Sequence, residues 1–74
     1  MTDKLRLGVN GAGGRMGQRI VALAAQDPAF TITTALENAA SPAIGRDAGE
    51  LAGIGKIGVV VASQLEHQVD VIID

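Results

Sequence analysis

The chain has 74 residues, a formal charge of −2 and no cysteine, which limits it to one small domain without disulfides or thiolate metal sites. Its six basic residues are dispersed and Phe30 is the sole aromatic, which argues against a nucleic-acid binder, with its basic face and stacking rings. No apolar run approaches the roughly 18 residues that cross a bilayer and no signal-like segment follows Met1, so the expectation is a cytoplasmic protein with no membrane partner.

Leu5–Asn10 alternates as a strand, with Leu5, Leu7 and Val9 on one face. Arg6, Gly8 and Asn10 lie on the other, where Gly8 leaves room for a closely packed helix. The run Gly11-Ala12-Gly13-Gly14-Arg15-Met16-Gly17 follows at once and reads as a tight turn from strand into helix. Glycines let such a turn approach another molecule closely. The opening helix adds unpaired amides and the positive end of its dipole, which suit a pyrophosphate.

From Arg15 to Gln26 the spacing is helical, with Met16, Ile20, Leu23 and Ala24 on one stripe, and Asp27-Pro28 ends it. This helix is roughly 18 Å long against roughly 20 Å for a six-residue strand, so it returns the chain to the start of a parallel neighbour. That neighbour is Phe30–Leu36, with Phe30, Ile32, Thr34 and Leu36 alternating against Thr31, Thr33 and Ala35. Glu37 follows, twenty positions after Gly17 (37 − 17), where dinucleotide-binding units place a ribose acceptor.

A carboxylate at that place accepts from two ribose hydroxyls and repels a 2′-phosphate, which favours NADH over NADPH. Asn38 supplies no compensating charge. Arg15 in the first helical turn opposes the dipole by about 0.3–1 kcal/mol, a penalty that a bound phosphate reverses. Arg15 is therefore read as a phosphate contact and Arg19 as a solvated surface residue.

Beyond Asn38 the chain is less regular. Ser41-Pro42 suits a helix start, but Gly45, Gly49, Gly53, Gly55 and Gly58 keep any helix short. Val59-Val60-Val61 reads as a short strand, Ser63-Gln64-Leu65-Glu66 as a capping box opening a helix, and 69–73 as a last strand. The expected fold is α/β, a Rossmann-like parallel sheet: the first β-α-β-(irregular)-β-α-β portion of a doubly wound NAD(P)-binding domain. In that order the last strand lies beside the first, and its bare edge calls for a further strand and helix.

The remaining candidates have plainer readings. Lys56 after Gly55 fails as a magnesium-binding phosphate loop, since the spacing from Gly49 is one residue too long and Ile57 stands where Ser or Thr is required. His67 has no obvious nucleophile or ligand partner and is read as a polar helix position. Asp47, Glu50 and Asp70 are read as solvated or capping acids, and Asp74 as a strand-end acid near the cleft. No catalytic residue and no metal ligand is assigned.

The stretch Val9-Asn10-Gly11-Ala12-Gly13-Gly14-Arg15-Met16-Gly17, then Ala35-Leu36-Glu37, then Gly45-Arg46-Asp47-Ala48-Gly49-Glu50-Leu51-Ala52-Gly53 closely resembles the dihydrodipicolinate reductase family. Val71-Ile72-Ile73-Asp74 resembles the family strand that runs on into a Phe-Thr or Phe-Ser turn. The resemblance implies a reductase of lysine and diaminopimelate synthesis that uses NADH or NADPH to reduce a cyclic dicarboxylate to tetrahydrodipicolinate. It also implies an N-terminal cofactor domain and a C-terminal domain that binds substrate and builds a homotetramer.

Carried over by match, Gly11, Ala12, Gly13, Gly14, Arg15 and Met16, with Gly17 closing the motif, embrace the pyrophosphate, and Glu37 holds the adenosine ribose. Some members follow that acid with an arginine for a 2′-phosphate; here Asn38 stands there, and Arg15 is the nearby substitute. The family's nicotinamide loop and its His-His…Lys…Ser-Gly-Thr segment do not occur in these residues, so the resemblance places the catalytic groups beyond Asp74. Residues 1–74 then form the first part of the cofactor domain, inactive alone. Two other readings stay open on the sequence: a stand-alone nucleotide-binding module without chemistry, and a fragment of another dehydrogenase, such as one acting on an aspartate-derived aldehyde. Residues 47–53 speak against the latter.

Overall fold

A computed structural model describes residues 4–65 and 68–73. The elements run β1 (Leu5–Asn10), α1 (Arg15–Ala25), β2 (Phe30–Leu36), α2 (Ala48–Leu51), β3 (Val61–Ala62) and β4 (Val71–Ile73). All pairings between strands are parallel and the order across the sheet is β3-β2-β1-β4. This is the Rossmann-like arrangement expected, with β4 against β1.

The helix stripe is rotated from the expected one. Gly17, Val21 and Ala24 are buried, whereas Met16 and Leu23 are 69% and 65% exposed. Gly17 sets this rotation, because a Cβ there would lie 2.0 Å from the Gly11 carbonyl oxygen. The helix face touching the sheet therefore passes through Gly17 and recurs at i+4 and i+7. Val21 and Ala24 join Leu7, Val9, Ala12, Ala35 and Val61 in the core.

β2 also departs from simple alternation. Leu7 pairs with Ile32 but Gly8 pairs with Thr34, which leaves Thr33 as a bulge. An extra residue exchanges the two faces beyond it. Ala35 thus joins the face of Phe30 and Ile32 in the core, and Thr34 turns to the other face with Gly8. Among the described residues, the neighbours of Gly8 on that face are side chains of the β2 and β4 segments. A Cβ there would meet the side chains of Val69 at 3.3 Å and Ile72 at 3.4 Å, so the space is filled from the β4 side.

The third strand begins later than expected: Val61 and Ala62 pair with β2, while Val60 makes only an isolated antiparallel bridge to Asp47. Ser41-Pro42 opens a turn rather than a helix, with the Ser41 hydroxyl accepting the Ala43 amide at 3.1 Å. The helix forms instead at Ala48–Leu51, where the Asp47 carboxylate caps Gly49 and Glu50. Ser63, Gln64 and Leu65 are not helical. The rest of that capping box, with His67 and Asp74, lies outside the described residues. β4 is Val71–Ile73, shorter than the expected 69–73, and leaves Val71 and Ile72 exposed.

Candidate functional site

The glycine loop is fastened to the end of β2. The amides of Gly11 and Ala12 both donate to the Leu36 carbonyl, at 2.9 and 3.0 Å. Gly11 takes φ +79°, a left-handed conformation that a side chain would oppose. The Gly14 amide donates to the Gly11 carbonyl at 3.0 Å, and the Gln18 side-chain amide donates to the Gly13 carbonyl at 2.9 Å.

Glu37 is brought to the same place. Its Oε2 accepts the Gly13 amide at 2.9 Å and its Oε1 accepts the Asn38 amide at 3.1 Å. A Cβ on Gly13 would lie 2.8 Å from the Ala43 Cβ and 3.0 Å from Glu37 Oε2, so the loop and the acid meet only because residue 13 has no side chain. The amides of residues 11–14 are thus taken by the protein itself. Donors for an anion lie one step on, in Arg15, Met16 and Gly17, the first-turn residues without acceptors inside the helix. Gly14, the N-cap, has no side chain to cover them, and the first turn carries no acid.

Two depressions flank this point. Gly13, Gly14, Glu37, Ser41, Arg46 and Leu51 border a cleft of about 330 Å³. Arg15, Met16 and Arg19 border a smaller one of about 250 Å³. The structure therefore gathers every residue of the sequence-based site at the carboxyl edge of the sheet, with Arg19 beside Arg15 at the surface. A larger cleft of about 670 Å³, bordered by Arg6, Ile32, Thr33, Ile57 and Gln68, has neither the amide turn nor a facing carboxylate.

Asp47 is more than a cap. Its Oδ1 accepts from Gly49, Glu50 and Ile57, and its Oδ2 accepts from Gly58 at 2.8 Å. The Ile57 amide, with those of Gly58, Glu50 and Gly49, holds this carboxyl below the usual carboxylate range, against partial burial. Residues 47–58 close around it, and a Cβ on Gly49 would meet the Gly55 carbonyl oxygen at 2.1 Å. Antiparallel bonds from Ala48 to the Val59 carbonyl and from Val61 to the Arg46 carbonyl attach this unit to β3. Glu50 remains an exposed acid, and Lys56 is exposed too.

Asp70, read from sequence as a solvated or capping acid, is instead paired. Arg6 donates to it from its backbone amide at 2.7 Å and from its guanidinium at 3.2 and 3.3 Å, while the Asp70 amide returns a bond to the Arg6 carbonyl. The Arg6 guanidinium holds the Asp70 carboxyl below its ordinary range. Sequence reasoning missed this pair because its members are 64 positions apart. It also missed Arg46 as a lining of the Glu37 cleft, and only the fold reveals that. No group of His, Asp and Glu suited to a metal occurs among the described residues, and no helix among them is long and apolar enough to cross a membrane.

Comparison with known proteins agrees with this architecture. The family described as "Dihydrodipicolinate reductase, N-terminus" matches residues 5–74. A 4-hydroxy-tetrahydrodipicolinate reductase of Methylococcus capsulatus is 45% identical over 73 residues, covering 95% of this chain and 27% of that protein. A second, of Sinorhizobium medicae, is 47% identical over 60 residues, covering 81% of this chain and 22% of that protein. The chain thus spans about a quarter of the length of these relatives. With a parallel β-α-β unit, a glycine loop bonded to the strand-end acid and a match over residues 5–74, the chain belongs to the dihydrodipicolinate reductase family, in its N-terminal, dinucleotide-binding portion.

Proposed function

We propose that this chain binds the NAD(P)H of a 4-hydroxy-tetrahydrodipicolinate reductase, which reduces its cyclic dicarboxylate substrate in lysine and diaminopimelate synthesis. The observation that carries the binding role is the bond between Glu37 and Gly13. It sets a carboxylate beside a helix start that has neither a side-chain cap nor an acid of its own. The diphosphate lies on the amides of Arg15 and Met16, with the Arg15 side chain beside it. Gly11, Ala12, Gly13 and Gly14 shape the approach, Gly17 seats the helix, and Glu37 takes the ribose hydroxyls.

Because a carboxylate in that position repels a 2′-phosphate, NADH is the favoured cofactor. The cofactor supplies the hydride, whereas these residues bind and orient it. The substrate groups, the homotetramer and the catalytic residues belong to the other three-quarters of such a reductase, and residues 1–74 form the N-terminal part of its cofactor domain. The relatives' biosynthetic role supports a cytoplasmic site of action.

Calorimetric titration with NADH tests the binding role. Binding that Glu37→Ala and Gly14→Val each weaken about tenfold supports it, one such step being about 1.4 kcal/mol. Unchanged affinity in both variants discards the site.

A further inference from the structure

We propose that Asn10-Gly11 is a spontaneous deamidation site, closed while β1 is paired and reactive whenever the end of that strand parts from β2. Asn10 is exposed at the last position of β1, and Gly11 follows with φ +79°. The step needs only water. The Gly11 backbone nitrogen attacks the Asn10 side-chain carbonyl carbon, the bond to the side-chain nitrogen breaks, and ammonia leaves with the proton given up by the Gly11 amide. Water then opens the five-membered imide at either carbonyl. One opening leaves aspartate. The other leaves isoaspartate, whose main chain runs through the former side chain and is longer by a methylene carbon.

Glycine hinders this attack least, because it has no Cβ beside the nitrogen. Asn38, the other asparagine, precedes Ala39, whose Cβ crowds the attack, and its side-chain oxygen accepts the Ala40 amide at 3.0 Å. At Asn10 the fold holds the reaction back in two ways. Asn10 pairs with Leu36 as the last rung between β1 and β2, and ψ in a parallel strand is about +115°. That turns the next nitrogen away from the side chain, whereas ring closure brings the two together. The Gly11 amide, the attacking group, also donates to the Leu36 carbonyl at 2.9 Å, and the Ala12 amide shares that acceptor at 3.0 Å. Cyclisation must break the first of these bonds, so reaction is confined to moments when the strand end opens. Isoaspartate then disturbs the helix. The Gly11 carbonyl accepts the Gly14 amide at 3.0 Å, and a Cβ on Gly17 would collide with that same oxygen. An added main-chain carbon just before Gly11 displaces this seat of α1.

Timed incubation in mildly alkaline buffer, with and without urea, followed by mass spectrometry of tryptic peptides, tests the site. Cleavage after Arg6 and Arg15 isolates residues 7–15, in which Asn10 carries the one side-chain amide. That peptide is expected to gain about one dalton and to divide into aspartyl and isoaspartyl forms, about tenfold faster or more in urea than in native buffer. Asn10→Gln is expected to abolish the gain under both conditions. The separated isoaspartyl chain is expected to unfold at a lower urea midpoint than the unaltered chain. No gain in urea overturns the site. Rates in native buffer equal to those in urea overturn its closure by the fold, and an unchanged midpoint overturns the effect on α1.

Discussion

The Gly13 amide nitrogen donates to Glu37 Oε2 at 2.9 Å, which ties the acid following β2 to the loop opening α1. Removing the carboxylate therefore does two things at once. It frees an amide at the mouth of the site, and it deletes the proposed ribose acceptor. Glu37→Gln keeps one oxygen for the Gly13 amide but loses the charge. NADH affinity is expected to fall about three- to tenfold in Glu37→Gln and further in Glu37→Ala, as calorimetry reads directly.

Gly17 and Gly14 differ in what they tolerate. A Cβ at Gly17 would meet three backbone atoms of Gly11 and Ala12 at 2.0–2.8 Å, whereas one at Gly14 meets only the Gly11 carbonyl oxygen at 3.5 Å. Gly17→Ala should destabilise the fold by about 1–3 kcal/mol through overpacking. Gly14→Ala, at an extended φ of −83°, should change stability by less than about 1 kcal/mol, since the lower entropy of the unfolded chain offsets the poorer N-cap. Urea unfolding of the two variants checks the contrast.

Asp47 gives the fold a pH dependence. Its carboxyl is held below the ordinary range by four backbone amides, that of Ile57 foremost. A depressed folded value means that the charged form stabilises the fold fully above the unfolded value. That contribution fades as pH falls through the lowered folded value. Asp70 beside Arg6 acts in the same direction. The urea midpoint should hold steady down to about pH 5 and drop below about pH 4. Asp47→Asn should start from a lower midpoint at pH 7 and lose less of it on acidification.

The free edge of β4 should join copies of the chain. Val71 and Ile72 are 39% and 46% exposed on a strand that, among the described residues, pairs with β1 alone, and such an edge templates further pairing. Sedimentation should depend on concentration, and Ile72→Lys should reduce that dependence. A single monomeric species in both chains, at high concentration, contradicts it.

The parts of the fold that were legible in the sequence are those governed by local spacing. β1, α1 and β2 appear where alternation, helical period and Asp27-Pro28 put them. The geometry of the candidate site was legible for the same reason, because the glycines and Glu37 sit at fixed offsets along one β-α-β unit. What sequence hid depends on contacts across the chain. The helix rotation follows from Gly17 against the Gly11 carbonyl, and the face exchange in β2 follows from a bulge at Thr33 that no residue pattern marks. Arg46 reaches the Glu37 cleft only because the 45–48 segment pairs back on 59–61 around Asp47.

Amide resonances followed during an NADH titration report on the glycine loop residue by residue. The largest changes are expected at Arg15 and Met16, the proposed diphosphate contacts, and at Gly13, whose acceptor Glu37 is the proposed ribose ligand. Changes concentrated instead around Thr33, Val59 and Val60, with residues 13–16 unmoved, contradict this placement of the dinucleotide.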